Sequence, residues 1–338
     1  MAKNIMIITR TPMRISYVGG GSDFEDHFKH SFGSVIGTTI NQYIYVFSND
    51  LSEVSPERIR FTYRQTESVN EVSSLQHPVL RTILEELRWE SRINLGTFSE
   101  LPAGVGLGGS SAFTVGLSHL LFHLKDIKVD PEALANFSVR VERDLLKESG
   151  GWQDQFHSAY GGFRRYKFSR RGTEVSENLL TNESIKLLNR QQLLVWVGES
   201  RNSSSHAQFT QTFASQGVTE QISRNAELSE SLFKKLRMEP TPKGQFQLLA
   251  DGVNEAWALK QEYTSEISGQ IQEIIDIGFK NGASAAKLCG AGGSGFVLIL
   301  FEEKHLENLK AGYRYHKIIF PKIAGRGSEI IFKESHEN

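Results

Sequence analysis

Residues 100–113 read ELPAGVGLGGSSAF and place four glycines and two serines between a strand-like segment and a long apolar run. Glycine is unfavourable inside regular structure, so such a cluster predicts a sharp backbone bend or a close approach to another group. The following segment, SSAFTVGLSHLLFHLK, is apolar almost all round and predicts a helix buried in a core. The sequence therefore predicts a strand, a glycine loop and a buried helix in succession.

The position of this loop at a helix start predicts an anion site. Glycines let backbone N–H groups converge on an anion, and the following helix points its positive end at it. We therefore expect a polyphosphate ligand, with Ser110 and Ser111 either capping the helix or turning a hydroxyl toward a phosphate-bound Mg²⁺. A serine-capped turn without a ligand is the alternative interpretation.

Two well-known phosphate-binding loops fit this stretch poorly. Gly104, Gly106 and Gly109 satisfy the G-x-G-x-x-G pattern of dinucleotide-binding folds. That fold requires a strand with a terminal acidic residue soon after the first helix, whereas residues 110–147 predict two helices. A Walker-type loop is excluded because no Lys-Ser or Lys-Thr pair follows the last glycine.

The size and composition of the chain narrow its class. With 338 residues, we expect two domains or two lobes, divided near residue 190. A formal net charge of −1 provides no basic footprint for nucleic acid. The first apolar run is interrupted by Arg10 and Arg14, so we expect neither a signal peptide nor a membrane partner. The single cysteine, Cys289, fits a reducing, cytoplasmic location.

The predicted elements follow the order of an α+β fold. Residues 4–18 and 34–50 predict long strands, and Ser22 or Asp23 is a candidate cap for a short helix between them. Helices dominate from about 218 to 281, before a third glycine-rich stretch and a hydrophobic strand. Because strands precede helices, an α+β arrangement fits better than a doubly wound sheet.

Three stretches of the chain carry a family resemblance. Residues 101–113 read LPAGVGLGGSSAF and resemble the second motif of the GHMP kinases, the superfamily of galactokinase, homoserine kinase, mevalonate kinase and phosphomevalonate kinase. Residues 10–24, RTPMRISYVGGGSDF, resemble the first motif, and residues 287–300, KLCGAGGSGFVLIL, resemble the third. The three motifs occur in the family's order and span nearly the whole chain.

The resemblance implies the two-lobed α+β fold of the GHMP kinases. Residues 1–190 would form an N-terminal lobe similar to ribosomal protein S5, which carries the ATP loop and the catalytic base. Residues 191–338 would form a ferredoxin-like α/β lobe. A homodimer is left open, because no residue pattern identifies an interface.

Within the superfamily, the forms TPMRISYVGGGSD, GLGGSSA, GGWQDQ and GESRNSS are most similar to the bacterial D-glycero-D-manno-heptose 7-phosphate kinases. Galactokinases carry Glu-His-Thr-Asp where this chain has Gly20, Gly21, Ser22 and Asp23, which disfavours a galactokinase. The resemblance implies transfer of the γ-phosphoryl group of ATP to the anomeric hydroxyl of a heptose phosphate. The alternatives are an unphosphorylated acceptor, such as fucose or another hexose, and a non-catalytic nucleotide-binding module.

The resemblance also implies roles for individual residues. Asp154 matches the catalytic aspartate and would accept the hydroxyl proton, with Arg14 beside it stabilising charge on the attacking oxygen. Asp23 matches the sugar-binding aspartate, next to Gly20 and Gly21. The implied ATP-binding positions are Pro102, Gly104, Gly106, Leu107, Gly108, Gly109, Ser110 and Ser111.

Magnesium binding is implied in the same way. Alignment by the glycines puts Ser110, rather than Ser111, at the family's magnesium-binding serine, although the register allows a shift of one residue. Glu142, twelve residues before Asp154, resembles the second ligand. The alternative interpretation of Glu142, without a functional role, is an exposed position on an amphipathic helix.

Several other residues have a possible role in binding a metal or a phosphate, but no motif supports it. His119 and His123 have the spacing of metal ligands on a helix but no third ligand. Trp257 is as well explained by core packing as by contact with a sugar phosphate. A substrate phosphate needs cationic partners, for which the sequence offers Arg64, Arg201, Lys260 and Lys287.

Overall fold

Twelve strands organise the part of the chain that the structure, a computed structural model, describes: residues 6–198, 218–263, 268–290 and 295–334. The strands are β1 Ile7–Val18, β2 Gly33–Asn49, β3 Ile59–Thr62, β4 Thr66–Val69, β5 Ile93–Ser99, β6 Phe163–Ser169, β7 Gly172–Val175, β8 Gln192–Gly198, β9 Ala283–Leu288, β10 Gly295–Phe301, β11 Ile318–Ile319 and β12 Glu329–Lys333.

Helices connect and cover these strands. They are Glu25–Phe28, Pro78–Glu86, Gly109–Leu124, Pro131–Val139, Gln153–Tyr160, Asn182–Leu188, Val218–Met238, Pro242–Tyr263, Gly269–Lys280 and Leu306–Gly312. A π-helical turn, Arg140–Leu145, continues the fourth of them, and Val72–Ser74 and Glu303–His305 are short 3₁₀ turns. None of the helices in the described ranges combines the length and the apolar character needed to cross a bilayer.

The larger sheet has eight strands around a long antiparallel pair. Its order is β12-β1-β2-β5-β3-β4, with β6 added beside β2 and β7 beside β6. β2 is long enough to pair with β6 along its first half and with β5 along its second. The register between β1 and β2 places Arg14 opposite Thr39 and Ser16 opposite Gly37, on the strand that begins the first motif.

The smaller sheet is antiparallel, with the order β11-β8-β10-β9. The helices Gly269–Lys280 and Leu306–Gly312 pack on it around a core that includes Leu193, Val297 and Tyr313. The helix Pro242–Tyr263 contacts both β9 and β1, so it joins the two sheets. Sheets that are antiparallel apart from the parallel pair β3 and β5, with helices packed against them, confirm the predicted α+β class.

The end of the chain returns to the larger sheet. β12 pairs antiparallel with β1, with Ile7 opposite Lys333, although the sequence assigned this region to the second lobe. The predicted division near residue 190 falls just before β8 and stays a prediction. The larger sheet therefore includes a strand from the last part of the described chain.

The short helix Glu25–Phe28 begins without the predicted side-chain cap. Its N-cap residue is Phe24, and no side chain caps the helix. The Ser22 hydroxyl donates instead to two backbone carbonyls, and Asp23 accepts from backbone amides. The cap prediction for Ser22 or Asp23 is wrong because the glycine turn uses both side chains to close itself.

Candidate active site

The glycine loop of the second motif, residues 100–108, connects β5 to the helix Gly109–Leu124. Gly104, Gly106 and Gly108 have φ values of 77°, 77° and 72°, in the left-handed region that favours glycine. Between them, the side chains of Val105 and Leu107 are buried. This alternation anchors the loop in the core through two apolar side chains.

The helix after this loop has an unprotected N-terminus. Its N-cap, Gly108, has no side chain to accept from the first-turn N–H groups, and no acidic residue occupies the first turn. Such an end attracts an anion, since its N–H groups lack intrahelical partners and the helix dipole adds positive potential. The geometry therefore suits a phosphate group, as the loop sequence predicts.

The third glycine stretch packs directly against this loop. A Cβ on Gly106 would lie 2.7 Å from the carbonyl oxygen of Cys289, and one on Gly290 would lie 2.6 Å from Gly106 Cα. Only glycine allows so close an approach of two backbones. Residues 291–294 of the third motif lie outside the described residues.

Arg14 and Asp154 form a two-pronged ion pair beneath the loop. Arg14 Nε donates to Asp154 Oδ1 at 2.7 Å and Nη2 donates to Oδ2 at 2.8 Å. Nη1 donates to the carbonyl oxygen of Gly106 at 2.8 Å, and the Arg14 backbone N–H donates to Leu107 O. A Cβ on Gly108 would lie within 3.3 Å of both side chains. The ion pair is thus fixed against the glycine loop.

Asp23 lies deeper than Asp154. Its Oδ1 accepts from Gly21 N at 3.0 Å and from Gln153 Nε2 at 3.1 Å, and its Oδ2 accepts from Gln153 N at 3.1 Å. A Cβ on Gly151 would lie 1.8 Å from Oδ2, so the GGWQDQ turn presses against this carboxylate. Burial raises the pKa of Asp23, although the backbone hydrogen bond from Gln153 opposes that rise.

Glu142 is buried in the π-helical turn and contacts Ser111. Ser111 Oγ donates to Glu142 Oε2 at 2.9 Å, and Gln155 Nε2 donates to the same oxygen at 2.7 Å. Glu142 Oε1 is buried without a hydrogen-bond partner. Burial raises the pKa of Glu142, partly opposed by the positive charge of Arg143. The alternative interpretation of Glu142, an exposed glutamate, is therefore wrong.

The two serines of the loop lie in different surroundings. Ser110 is exposed at the start of the helix, whereas Ser111 is buried beside Glu142. Successive helical residues point about 100° apart, so only one of the two can face Glu142. The serine that touches Glu142 is Ser111, one residue after the position given by alignment of the glycines.

The four basic candidates are also separated by the fold. Lys287 is buried and donates to the carbonyl oxygens of Ser16 and Tyr17 at 3.0 and 2.8 Å, and Lys260 Nζ donates to Gly290 O at 2.6 Å. Burial lowers the pKa of Lys260 to about 7 and that of Lys287 to about 8. The two remaining candidates are Arg64, exposed in the turn between β3 and β4, and Arg201, outside the described residues.

Three other candidate residues from the sequence, Trp257, Cys289 and His119, pack in the core or contact other side chains of the fold. Trp257 is buried in the core of the smaller sheet, and Cys289 is buried behind the glycine loops. The ring of His119 contacts the hydroxyl of Ser328 at 3.0 Å, just before β12. No group of three or more His, Cys, Asp or Glu side chains suited to a metal ion occurs in the described ranges.

Comparison with known proteins decides the family. Residues 74–162 match the family model described as GHMP kinases N terminal domain, and residues 232–317 match that described as GHMP kinases C terminal. The two matches together make up just over half of the chain. The chain belongs to the GHMP kinases. It is therefore a phosphotransferase with an alcohol group as acceptor, and its two-lobed fold is that of this family.

Several relatives of this GHMP kinase are named as sugar kinases. It is 24% identical over 322 residues to the D-glycero-alpha-D-manno-heptose 7-phosphate kinase of Campylobacter jejuni, covering 90% of this chain and 91% of that one. It is 25% identical over 318 residues to the bifunctional fucokinase/GDP-fucose pyrophosphorylase of Arabidopsis thaliana, covering 86% of this chain and 29% of that one. These relatives support a sugar kinase.

Solved structures share the fold of this GHMP kinase. A D-glycero-D-manno-heptose 1-phosphate kinase from Bacteriodes thetaiotaomicron superposes with a TM-score of 0.77 at 21% identity, covering 97% of this chain and all of that one. The Lactococcus lactis galactokinase complexed with galactose superposes with a TM-score of 0.73 at 14% identity, covering 96% and 95% of the two chains.

The structure brings most of the sequence-derived site residues of this GHMP kinase together. Arg14, Asp154 and the glycine loop are in direct contact, and Asp23 joins them through Gln153. Sequence reasoning assigned no role to Gln153 and Gln155, although both flank Asp154 in the quoted GGWQDQ stretch. An amide on each side of the proposed base was the available signal.

Proposed function

We propose that this GHMP kinase transfers the γ-phosphoryl group of ATP to the anomeric hydroxyl of D-glycero-D-manno-heptose 7-phosphate. The product, heptose 1,7-bisphosphate, would serve the synthesis of nucleotide-activated heptose and cell-surface polysaccharide, and the reaction would take place in the cytoplasm. The observation that carries the kinase chemistry is the Arg14–Asp154 pair held against the glycine loop. The name of the Campylobacter jejuni relative supports the heptose phosphate as acceptor.

Asp154 acts as the general base in this proposal. Its side chain is 22% exposed while Arg14 holds both of its oxygens, so a substrate can reach a carboxylate of fixed orientation. The acceptor O–H gives its proton to an Asp154 oxygen as the oxygen bonds to the γ-phosphorus. The bond from that phosphorus to the ADP oxygen breaks, and its electron pair leaves with ADP.

The glycine loop binds the phosphates of ATP. Backbone N–H groups at the uncapped start of the helix Gly109–Leu124 meet the negative charge, and Arg14 adds a fixed cation beneath them. The proposed contacts run from Pro102 through Gly104, Gly106 and Leu107 to Gly108, Gly109, Ser110 and Ser111. Phosphoryl transfer depends mostly on such positioning and charge stabilisation.

Magnesium fits the oxygen ligands beside the loop. Glu142 offers a buried carboxylate oxygen without a partner, and a serine hydroxyl lies next to it. Two protein oxygens with phosphate oxygens and water are the usual surroundings of Mg²⁺ in kinases. When bound, the ion neutralises charge on the phosphate oxygens. Alignment of the glycines gave Ser110 as the serine ligand of magnesium. The hydrogen bond between Ser111 and Glu142 instead favours Ser111 as that ligand.

An unphosphorylated sugar is the second candidate acceptor. The Arabidopsis thaliana relative, whose name includes fucokinase, supports it with 25% identity over 318 residues. Lys287, a candidate partner for a substrate phosphate, already donates to two backbone carbonyls, which also favours a neutral acceptor. The chemistry at Asp154 is the same for both acceptors.

Steady-state assays with Mg-ATP separate these acceptors. ADP release is followed with heptose 7-phosphate, mannose, fucose and galactose, for the wild type and for Asp154→Asn. Turnover of heptose 7-phosphate alone, lowered at least about 100-fold in Asp154→Asn, supports both the acceptor and the base. Turnover of a neutral hexose contradicts the heptose phosphate, and undiminished activity of Asp154→Asn contradicts the assigned base.

A further inference from the structure

Glu142 and Arg143 occupy the π-helical turn Arg140–Leu145, where the backbone departs from an α-helix. Leu146 N donates to the carbonyl oxygen of Val141, one residue further back than in an α-helix. Such turns are rare and occur frequently at functional sites. The side chains of Glu142 and Arg143 are only 2% and 13% exposed. The turn therefore places a carboxylate and a guanidinium side by side, mostly shielded from solvent.

The two carboxylate oxygens of Glu142 have different surroundings. Oε2 accepts from Ser111 Oγ at 2.9 Å and from Gln155 Nε2 at 2.7 Å, and Arg143 Nη2 lies 3.3 Å from it. Oε1 is buried and has no hydrogen-bond partner. Buried polar atoms in native proteins are usually bonded, so an unpartnered oxygen suggests a ligand. Three groups around Oε2 therefore hold the carboxylate in an orientation that keeps Oε1 for that ligand.

The guanidinium of Arg143 also contacts the GGWQDQ turn, which carries Asp154. Nη2 donates to the carbonyl oxygen of Gly151 at 3.0 Å, and Nε donates to the same oxygen at 3.3 Å. Nη1 donates to Glu148 O at 3.3 Å. Asp154 follows Gly151 by three residues. One planar side chain thus joins the carboxylate of Glu142 to the backbone of the GGWQDQ turn.

Gly150, the first residue of the GGWQDQ turn, leaves the room that this guanidinium needs. A Cβ on Gly150 would lie 2.6 Å from Arg143 Nη2 and 2.9 Å from Arg143 Cζ. A side chain at this position would therefore displace the guanidinium. The other arginine of the π-helical turn, Arg140, is exposed and pairs with Glu86. Of these two arginines, Arg143 is the one that contacts the GGWQDQ turn.

We propose that Arg143 is a positioning residue that couples the magnesium site at Glu142 to the base, Asp154. Arg143 helps to hold Glu142 Oε2, which leaves Oε1 for the ion, and the same guanidinium fixes the turn that carries Asp154. Partners that hold a metal-binding carboxylate from outside commonly have this orienting function. This inference rests on the proposed function, because it takes Glu142 as a magnesium ligand and Asp154 as the base.

Calorimetric binding of ADP tests the magnesium part of the inference without catalysis. The quantity compared is the magnesium gain, the factor by which ADP binds more tightly with Mg²⁺ than with EDTA. We expect this gain to fall about 10-fold in Arg143→Met, since loss of such a supporting partner has effects of this size. Arg143→Lys keeps the charge without the planar fork and should have an intermediate gain. The control Arg140→Met removes an exposed ion pair and should change the gain less than about 2-fold.

Steady-state kinetics test the coupling to the base. At saturating Mg-ATP and acceptor, we expect kcat to fall at least about 10-fold in Arg143→Met and less in Arg143→Lys. In the Asp154→Asn background, Arg143→Met should lower kcat little further, because residues that act as a unit are not additive. A loss of kcat that is as large in that background as in the wild type would contradict the coupling.

The outcomes separate the inference from the proposed function. An unchanged magnesium gain in Arg143→Met overturns the inference, even when the wild type phosphorylates heptose 7-phosphate. A wild type whose ADP binding gains nothing from Mg²⁺ overturns it as well. If Arg143→Met does not fold, Arg143→Lys decides by the same criterion. If the wild type phosphorylates no sugar, the proposed function fails, and the magnesium gain of the variants still decides whether Arg143 positions Glu142.

Discussion

Asp154 and Asp23 are neighbouring carboxylates that differ in their hydrogen-bond donors and in their exposure. Asp154 is paired with the guanidinium of Arg14 and its side chain is 22% exposed. Asp23 is 1% exposed and accepts from the amides of Gly21 and Gln153. An accessible carboxylate in a fixed plane can receive a proton from a substrate, whereas a buried one held by amides positions its neighbours. The difference in exposure therefore supports the proposed role of Asp154 as the base.

Removing the guanidinium should have the largest effect on catalysis. Arg14→Met leaves Asp154 without its two donors and Gly106 O without one, so both the base and the loop lose a fixed position. We expect kcat to fall at least about 100-fold, since small displacements at a reacting centre have effects of this size. Steady-state kinetics with the acceptor identified by the sugar panel measure this change.

Arg14→Lys is the matched control, because it keeps the charge but lacks the planar fork. Its kcat should lie between those of the wild type and Arg14→Met. Equal kcat values for all three proteins, with thermal unfolding unchanged, would contradict the role of the ion pair.

The buried carboxylate should matter most for stability. Asp23→Ala leaves three amide donors without their acceptor, and each unsatisfied buried donor is unfavourable by about 1–3 kcal/mol. Because the surroundings relax, we expect the free energy of unfolding to fall by about 2–4 kcal/mol. Urea denaturation followed by circular dichroism measures it.

Asp26→Ala provides the comparison on the adjoining helix, where the carboxylate is exposed. Its free energy of unfolding should stay within about 0.5 kcal/mol of the wild type. A similar small change in Asp23→Ala would show that the amide contacts add little.

Two cations extend the comparison, because half-buried Lys260 donates to a carbonyl oxygen where buried Arg14 donates to a carboxylate. Burial lowers the pKa of Lys260 to about 7, below its ordinary value near 10.4. Between these values the folded state binds fewer protons than the unfolded state, so this lysine makes stability rise with pH. Lys260→Met should reduce that rise by up to about 1 kcal/mol per pH unit between pH 7.5 and 9.5.

The exposed Lys243, at the start of the same helix, gives the control variant Lys243→Met. Denaturation at several pH values is measured for both variants. Equal pH slopes for the wild type and Lys260→Met would contradict the lowered pKa.

The sequence predicted the parts of this site that local pattern determines. The glycine loop, its helix and the α+β class follow from spacing and composition, and the contact between Arg14 and Asp154 follows from motif resemblance. The Glu142–Ser111 contact did not follow, because it depends on the rotation of a helix start. Two hydrogen bonds from Gln153 to Asp23 link residues 130 positions apart, and β12 is too short for its pairing with β1 to be predicted.

Two glycines of the loop at residues 104–109 provide the finest comparison. Gly104 and Gly108 have nearly the same left-handed φ, 77° and 72°, but a Cβ on Gly104 meets nothing within 4 Å, whereas one on Gly108 meets Arg14 and Asp154. Alanine at either position should lower the free energy of unfolding by about 1–2 kcal/mol. Only Gly108→Ala should also lower kcat, by about 10-fold, because the pair must shift by a few tenths of an ångström.

The ratio of the two kcat values isolates the contact with the catalytic pair, since the backbone strain is common to both variants. A loss of kcat that is equal in Gly104→Ala and Gly108→Ala would mean that loop flexibility limits the reaction. A loss confined to Gly108→Ala would instead mean that a side chain at position 108 disturbs the Arg14–Asp154 pair.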